Sequence, residues 1–410
     1  MSTVSVPAGR PGRNSWSWAA WTLWLAAAAF GGAGLIERLF LGERFVAYTS
    51  YVPWGMWVSA YIFFIGLSAG AFLLSSLVYV FGVRSLERIA TLSLFIAAVT
   101  LAMALLSILC DLGHMERFWE VFTRPQLHSM MAWMVWLYTG YFMLLLAELY
   151  FALRGEMGRS ASAEGRERDR RILRVLGAAG IPLAIAFHGG VGALFSTVAA
   201  REYWHSALYP ILFLSGALLS GGALMTFVVA FFWPARDEGW RETLSFLSKL
   251  LLGLVLFDFL LEWAEYSIPA WYQIGAEYNL ITYVFFGPFW YVFWIVHLAF
   301  GVIIPVLLLT LSKRPVAQGI AAALIAVTFF AVRLNLVIPG LISPELRGLQ
   351  TAYLDPIGHR LSFGYVPSIF EWQVTIGVLA VGVALFYLGC RYLPLFDQSA
   401  RVERRNEENA

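Results

Sequence analysis

The chain alternates long apolar stretches with polar connections. Each apolar stretch is about 20 residues long, which is the length an α-helix needs to cross the hydrocarbon core of a bilayer. Ten such stretches lie near residues 16–36, 54–82, 89–110, 129–153, 172–198, 206–233, 243–268, 288–311, 316–338 and 370–393. The pattern therefore predicts an all-α integral membrane protein with about ten transmembrane helices.

The order of these helices predicts how they are arranged. Helices two to five and helices six to nine each begin on the side of the membrane opposite the N-terminus, which favours two four-helix bundles with flanking first and last helices. The ten-helix domain is expected to cover residues 16–395, between polar tails at 1–15 and 396–410. A segment of mixed charges, Gly and Ser at 154–171 predicts a solvated cytoplasmic linker.

The distribution of Lys and Arg orients the helices. Of the 28 Lys and Arg residues, 19 lie in the segments on the side of the termini and 7 lie in the connections on the opposite side. Cytoplasmic segments carry the excess of positive charge, so both termini are expected in the cytoplasm. The opposite side is called the outer face below. Its three long connections, 111–128, 269–287 and 339–369, are poor in Lys and rich in aromatic residues and Pro, so we expect ordered, functional segments.

Composition narrows the chemistry. The chain is 60% hydrophobic and 13% charged, against roughly 25% charged in an average soluble domain. The net charge of +2 gives no support for a nucleic-acid-binding function. The two cysteines, Cys110 and Cys390, show no CxxC spacing, which excludes thiolate zinc sites and cysteine-ligated iron–sulfur clusters. We therefore expect no metal site or iron–sulfur cluster in this chain. A bound haem is not expected either, because only two histidines, His188 and His297, lie deep within the apolar stretches.

Ionisable residues lie within several of the apolar stretches. Each costs about 2.5–3.5 kcal/mol at the centre of a membrane helix on insertion scales, so each is a functional candidate. His188 in helix five and His297 in helix eight lie at similar depth in the outer half of the membrane. Asp258, Glu262 and Glu265 have the spacing i, i+4, i+7, which places them along one face of helix seven. This stripe predicts a proton route.

Other polar residues lie near the outer ends of the helices. They are Asp111, His114 and Arg117 after helix three, His128, Arg201 and His205 beside helices four to six, Arg333 and Asn335 in helix nine, and Glu371 at the start of helix ten. A redox quinone needs an apolar slot, hydrogen-bond donors for its carbonyl oxygens and a group that exchanges protons. Histidines, tyrosines and carboxyl groups at one membrane depth supply those groups, so the pattern indicates a quinone site.

Structural roles remain open for some of these residues. His297 could bond only to a neighbouring backbone. Arg333 could form a structural ion pair, for which the candidate carboxylates are Asp258, Glu262 and Glu371. Glu148, near the cytoplasmic end of helix four, is expected to extend towards water, with an inner proton path as the alternative.

Several short motifs resemble those of the NrfD/polysulfide-reductase family of membrane subunits. The resemblance extends from about residue 45 to 395 and is greatest to the ten-helix branch that includes the HybB and DsrP subunits. The motifs are Val52-Pro53-Trp54-Gly55 with the run 63–72, Asp111-Leu112-Gly113-His114 with Arg117-Phe118-Trp119, His188-Gly189-Gly190, Tyr203-Trp204-His205, Arg333-Leu334-Asn335, and the segment 365–371 ending in Glu371.

The resemblance implies a subunit without bound cofactors in a bacterial cytoplasmic (inner) membrane. Such a subunit exchanges electrons between membrane quinone, either menaquinone or ubiquinone, and an extracytoplasmic ferredoxin-like iron–sulfur subunit that serves a catalytic subunit. From the residues and the resemblance together, we assign catalysis to His188, Asp111, Glu262 and Asp258. Quinone binding is assigned to His188, His114, Tyr203, His205, Arg333, Asn335, Glu371 and His297.

Three other functions compete with this hypothesis. A b-type cytochrome could use His188 and His297 as axial haem ligands, although a di-haem core would require four buried histidines. A secondary transporter or ion pump is compatible with Pro182 and Pro305, which fall within helices five and eight. A passive membrane anchor is the third alternative.

Overall fold

Ten long helices make up most of the described chain. The computed structural model describes residues 15–157, 162–273, 275–344, 346, 348–352 and 361–396. The ten helices are α1 (Ser15–Leu41), α2 (Met56–Tyr79), α3 (Ala90–Asp111), α4 (Met130–Glu156), α5 (Ala163–Ser196), α6 (Tyr209–Phe232), α7 (Glu238–Tyr272), α8 (Val292–Leu311), α9 (Pro315–Ile342) and α10 (Ile369–Tyr392). Each contains a segment long and apolar enough to span a bilayer, and the described residues contain no β-strand. The predicted all-α, ten-helix class is confirmed, whereas both tails lie almost wholly outside the described residues.

The helices form the two predicted bundles. α2, α3, α4 and α5 pack around one another, as do α6, α7, α8 and α9. The bundles meet where α2 and α5 contact α6, and α2 also contacts α9. The flanking helices α1 and α10 pack against each other, and α10 also packs on α3. Two four-helix bundles with flanking helices are therefore confirmed.

Glycines permit the closest helix approaches. A Cβ atom at Gly70 of α2 would lie 2.0 Å from the backbone oxygen of Ala217 in α6. A Cβ atom at Gly31 of α1 would lie 2.2 Å from the backbone nitrogen of Gly377 in α10. Small residues at such crossings let helix backbones pack directly in a membrane, where lipid supplies no hydrophobic force between helices.

On the side of the termini, helix ends extend further than hydropathy predicts. α4 continues to Glu156 and α5 begins at Ala163, so most of the 154–171 segment is helical. The Ser162 hydroxyl accepts a hydrogen bond from the Gly165 backbone N–H at 3.0 Å, which caps α5. Arg154 and Asp169 form an ion pair of 3.4 Å between the two helices. Hydropathy missed these turns because a helix continued in water can be polar on every exposed side.

The outer connections contain short helices, in agreement with the order expected from their composition. They are Met115–Arg117, Glu120–Thr123, Gly275–Phe286 and Leu349–Ala352. Part of the third connection, including residues 353–360, lies outside the described residues.

The first part of α8 is a π-helix, which spans Val292–Ile303 and has His297 near its middle. The remainder, Ile304–Leu311, is α-helical and has Pro305 in its first turn. π-helical turns are uncommon and are found frequently at functional sites. The irregular geometry therefore coincides with one of the intramembrane histidines singled out by the sequence.

Candidate functional site

The structure brings Asp111 and Glu371 together through two tyrosines. The Tyr48 hydroxyl donates a short hydrogen bond to Asp111, and the Tyr365 hydroxyl donates one to Glu371. The centroids of the two tyrosine rings are 6.3 Å apart. Tyr48, Asp111, Tyr365 and Glu371 are called the carboxyl–tyrosine cluster below. It lies at the outer ends of α3 and α10.

Local structure at the start of α10 fixes the orientation of Glu371. The Ser368 side chain accepts from the Glu371 backbone N–H at 3.2 Å, while Glu371 Oε2 accepts from the Ser368 backbone N–H at 2.9 Å. This reciprocal pair is a capping box. Glu371 Oε2 also accepts from the backbone N–H of Ala47 at 3.1 Å. Glu371, which was a candidate partner of Arg333, is thus engaged by the carboxyl–tyrosine cluster and the helix cap.

The two tyrosines act as hydrogen-bond donors. Burial, followed by the neighbouring Asp111 carboxyl group, raises the pKa of Tyr48 well above its usual range. Burial and the Glu371 carboxyl group do the same to the pKa of Tyr365. Both phenols therefore stay protonated at neutral pH, and each hydroxyl donates its hydrogen to a carboxyl group.

A long apolar groove reaches this cluster. Its volume is about 1510 Å³, and it is bordered by α1, α2, α3, α6, α8, α9 and α10. Rings such as Phe63 and Phe330 form its wall, with centroids 5.7 Å apart. Val327 of the lining is 72% exposed, so the groove opens sideways to the membrane. The lining residues between 372 and 396 extend the groove from the outer half of α10 to the C-terminal end of that helix.

The polar side chains that line the outer part of the groove include Tyr365 and Asn335. Asn335 is 5% exposed, and its side-chain nitrogen meets no hydrogen-bond partner within the described part of the chain. A buried amide donor without a partner is costly. The groove therefore combines an apolar slot with an unused donor and with a phenol that is bonded to a buried carboxyl group.

His188 lies at the junction of the two bundles and does not line the groove. It is fully buried, with the rings of Phe187 and Phe213 each centred 6.0 Å from the imidazole. No described side chain forms a hydrogen bond with either ring nitrogen. Gly66 of α2 faces the ring, and a Cβ there would lie 3.7 Å from it. The absence of a side chain at Gly66 of α2 thus leaves space beside the imidazole.

Arg333 lies close to His188 on the second-bundle side. Its guanidinium carbon is 4.4 Å from the ring centroid of Phe213 and 4.9 Å from that of Phe329. Cation–π contact of this kind stabilises a buried cation. Arg333 shares a small cavity of about 40 Å³ with Asp258 and Glu262. Arg333 therefore lies near two of the carboxyl groups expected as its partners, and the three side chains line the same cavity.

The carboxyl groups of α7 bond to neighbouring helices. Asp258 accepts a hydrogen bond from the Ser215 hydroxyl, and Glu262 Oε2 lies 2.8 Å from His297 Nε2. Glu265 accepts from the Ser206 hydroxyl at 3.0 Å. Each of the three carboxyl groups therefore has a partner on another element. The partner of His297 is a side chain, so its contacts are not limited to a neighbouring backbone.

Adjoining cavities extend from these carboxyl groups to the outer face. Asp258, Glu262 and His297 line a cavity of about 10 Å³, and the first two also line the 40 Å³ cavity. Glu265 and Tyr203 belong to both the 40 Å³ cavity and an outer cavity of about 340 Å³. The stripe on α7 therefore borders a discontinuous series of cavities that ends at the outer surface.

The connection between α5 and α6 packs on α9. The Tyr203 hydroxyl donates to the Asn335 backbone oxygen at 3.0 Å and lies 3.2 Å from the Tyr266 hydroxyl. Burial raises the pKa of Tyr203, so its hydroxyl remains a donor. His205 is exposed, and its Nδ1 lies 2.9 Å from the Ser196 backbone oxygen. His205 and Tyr203 both line the outer cavity.

His114 and Glu148 lie in positions that differ from those expected from the sequence. The His114 side chain is 68% exposed, and its Nδ1 lies 3.0 Å from Glu116, so the structure does not bring it to the groove or the cavities. Glu148 does not extend to water. It is fully buried, and neither carboxyl oxygen has a hydrogen-bond partner among the described residues. Because α4 packs with Glu148 buried in the bundle interior, the side chain does not reach water.

Sequence reasoning missed Tyr48, and it quoted Tyr365 only as part of a motif. Both lie in outer connections, and no helical or hydrophobic pattern in the sequence identifies their hydrogen-bond partners. The signal that could have found them is an aromatic residue with a hydroxyl group beside each motif, at Tyr48 before Val52-Pro53-Trp54-Gly55 and at Tyr365 before Glu371.

Comparison with known proteins places the chain in a family. The family described as "Polysulphide reductase, NrfD" matches residues 46–345. The chain belongs to this family. In this NrfD-family chain the match covers α2 to α9, which are the two bundles, while α1 and α10 lie outside it.

Full-length relatives extend the comparison to the flanking helices. The NrfD-family chain is 37% identical over 404 residues to a subunit of the selenate reductase of Mesobacillus selenatarsenatis, covering 92% of this chain and 94% of that protein. It is 30% identical to the "Hdr-like menaquinol oxidoreductase integral membrane subunit" of Archaeoglobus fulgidus, covering 87% and 88%. It is 23% identical to the "Menaquinone reductase, integral membrane subunit" of Nitratidesulfovibrio vulgaris, covering 93% and 94%.

Proposed function

We propose that this chain is the quinone-reactive membrane subunit of a multi-subunit oxidoreductase. It passes electrons between the membrane quinone pool and an iron–sulfur subunit at the outer face, which in turn serves a catalytic subunit. The printed names of the relatives include a menaquinol oxidoreductase, a menaquinone reductase and a selenate reductase. The observation that carries the proposal is the membrane-open apolar groove that reaches Tyr365 and Asn335.

The groove suits a quinone with an isoprenoid tail. The apolar wall accepts the tail, and the side opening lets the molecule enter from the bilayer. The Asn335 side-chain nitrogen is buried at the groove wall without a hydrogen-bond partner among the described residues, and we propose that it turns toward a quinone oxygen, which supplies the missing hydrogen bond. Menaquinone is the favoured substrate, because two of the relatives are named for menaquinol or menaquinone.

The Tyr365–Glu371 pair provides a proton-transfer step. When quinol is oxidised, its hydroxyl gives a proton to the Tyr365 oxygen while Tyr365 gives its own proton to the Glu371 carboxylate. The net result is transfer of one proton from quinol to Glu371, and Tyr365 is unchanged. The second quinol hydroxyl gives its proton to the same cluster, with the Asp111 carboxylate, which accepts from Tyr48, as the final proton acceptor. The two electrons leave to the iron–sulfur subunit, and quinone reduction is the same sequence reversed.

The outer face offers a surface for that subunit next to the cluster. The connection after α3, which carries Asp111 at its start, exposes Phe118 and Trp119 by 54% and 52%. Aromatic residues of this kind are enriched at the centres of protein interfaces. Docking here places the electron acceptor close to the outer end of the groove. This position also agrees with the outer face assigned from the charge count, with both termini in the cytoplasm of a bacterium and the chain in its inner membrane.

Proton translocation is the part of the proposal that involves the second bundle. Asp258, Glu262, Glu265 and His297 border the cavities that end at the outer face, so protons can exchange there. His188 and Arg333 occupy the junction between this region and the first bundle. Both residues are therefore placed to couple the two bundles, whereas direct contact with quinone is assigned to Asn335, Tyr365 and the cluster.

The test is quinol-dependent electron transfer in the assembled complex. Tyr365→Phe and Asp111→Asn should each lower turnover by about 100-fold, because each removes a proton-transfer or accepting group. Tyr392→Phe, at a tyrosine that is 71% exposed, is the matched control and should leave turnover unchanged. Assembly is checked by co-purification of the partner subunits. Wild-type turnover in both cluster variants would show that the site is wrongly assigned.

Two alternatives give different results in simple measurements. A b-type cytochrome would show a strong Soret band after purification, although His297 Nε2 is engaged by Glu262 and is thereby less available to iron. A transporter is favoured by the carboxyl-lined cavities that open outward. It would move ions in liposomes that contain no quinone, where the proposed subunit should be inactive.

A further inference from the structure

Arg38 is a buried cation contributed by a helix whose other side chains are mostly exposed. It lies in the last turn of α1, and its side chain is 2% exposed. Other residues of α1 are open to the membrane, such as Leu23 at 73% and Phe40 at 83%. Burying an arginine at this point costs free energy unless its donors are satisfied. Its contacts therefore indicate what the helix end contributes.

The guanidinium group of Arg38 binds the backbone on both sides of Asp111. Its Nε donates to the Cys110 oxygen at 2.7 Å, and its Nη2 donates to the Leu112 oxygen at 2.7 Å. α3 ends at Asp111, so its last carbonyl groups have no partner within the helix. Arg38 thus satisfies the helix end and holds the two residues that flank a member of the carboxyl–tyrosine cluster.

A second set of contacts connects Arg38 to the other carboxyl group. The guanidinium carbon lies 5.7 Å from the ring centroid of Trp57. The indole N–H of Trp57 donates to the Glu371 backbone oxygen at 3.2 Å. The same indole also packs against Tyr48, with ring centroids 6.2 Å apart. Arg38 therefore contacts the framework that carries both halves of the cluster.

We propose that Arg38 is a positioning residue for the redox site: it orients Asp111 toward Tyr48 by holding the peptide groups on either side of it. This inference rests on the proposed function, because it assigns Arg38 a role in the same site. Arg38 touches neither the groove lining nor the Asp111 carboxyl group through any described hydrogen bond. Its effect on the reaction must therefore act through the orientation of Asp111.

The geometry requires an arginine at this position. Two donors on different nitrogens reach two carbonyl oxygens that are separated by one residue, which the planar guanidinium fork can do and a single ammonium group cannot reproduce. Nη2 also lies 3.3 Å from Glu43 Oε1, an ion pair that restrains the side chain from the other side. Arg38→Lys retains the charge and loses the fork, so it separates the two contributions.

The experiment measures kcat and KM for quinol in the assembled complex. Arg38→Gln should lower kcat by about 30–100-fold with KM within about twofold of wild type, since misplacement of a catalytic group reduces the rate rather than ground-state binding. Arg38→Lys should fall between Arg38→Gln and wild type. Arg44→Gln is the matched control, because Arg44 is an exposed arginine just after the same end of α1, and both constants should stay unchanged.

Each other outcome has a defined meaning. A raised KM with unchanged kcat would show that Arg38 supports quinone binding, which overturns the positioning role. If Arg38→Gln does not assemble, Arg38→Lys decides, and wild-type kcat in that variant overturns the inference. If Asp111→Asn and Tyr365→Phe lose turnover while both Arg38 variants keep it, only the Arg38 inference is wrong. If the cluster variants keep turnover, the proposed site itself is wrong and the inference falls with it.

Discussion

His297 Nε2 lies 2.8 Å from Glu262 Oε2, and this contact joins the π-helical part of α8 to α7. The two side chains are only 8% and 10% exposed. A buried pair of this kind holds its helices in a fixed rotation, because each partner leaves the other unsatisfied if the helices turn. Since the π-helix sets the direction of His297, the pair connects an irregular backbone to the α7 carboxyl stripe.

Loss of one partner of this pair should destabilise the protein. We expect Glu262→Ala and His297→Ala each to lower the free energy of unfolding by about 3–5 kcal/mol, because a buried polar group is left without its partner. The measurement is thermal unfolding in detergent. The double variant Glu262→Ala/His297→Ala should lose less than the sum of the single variants. Additive losses would contradict a direct interaction, and Glu167→Gln, at an exposed position, serves as the control.

The contact between the bundles depends on Gly70. We expect Gly70→Ala to lower the free energy of unfolding by about 1–3 kcal/mol, because the new methyl group would meet the Ala217 backbone oxygen at 2.0 Å. Gly253→Ala on α7 is the control, since no other group lies within 4 Å of a Cβ there. Thermal unfolding compares them. Equal stability of the two variants would mean that α2 and α6 are less closely packed.

The amide of Asn335 should act on quinone affinity. Asn335→Leu removes the free donor in the groove, so we expect the KM for quinol to rise about 10-fold from loss of one hydrogen bond. Stability should stay the same or increase, because an unpaired buried amide is replaced by an apolar side chain. Val381→Leu, at an exposed position of α10 outside the groove lining, should leave KM unchanged. An unaltered KM in Asn335→Leu would place the quinone head elsewhere.

At Glu148 we expect a substitution to stabilise the protein. Both of its carboxyl oxygens are buried without a hydrogen-bond partner among the described residues. We therefore expect Glu148→Gln to raise the free energy of unfolding by about 1–2 kcal/mol, because a neutral amide costs less to bury than a carboxyl group that ionises. Thermal unfolding at neutral pH measures it. A loss of stability in Glu148→Gln would show that Glu148 makes a favourable interaction.

The sequence indicated which polar groups could lie near each other and left their partners open. Arg333 was expected near one of three carboxyl groups, and it shares a cavity with Asp258 and Glu262 but not with Glu371. The spacing of Asp258 and Glu262 put them on one face of α7, which is a local property that a helix preserves. The partner of Glu371 is instead Tyr365 in the preceding connection, which hydropathy cannot place.

The residues at the candidate quinone site illustrate the same limit. Asp111 and Asn335 were singled out by sequence, but only the structure shows that Asn335 faces a membrane-open groove and that Tyr48 donates to Asp111. The Arg38 contacts join α1 to the end of α3, 72 positions along the chain. Such contacts depend on which side of each helix faces which neighbour.

The sequence by itself determined that this protein has ten helices long and apolar enough to cross a membrane, and its charge bias predicts which face is cytoplasmic. Those properties follow from the transfer of each segment between water and lipid, which depends mainly on local composition. Only the tertiary structure decided which buried polar groups meet. Helix rotation and close approach at residues such as Gly70 bring residues that are distant in sequence within hydrogen-bonding range.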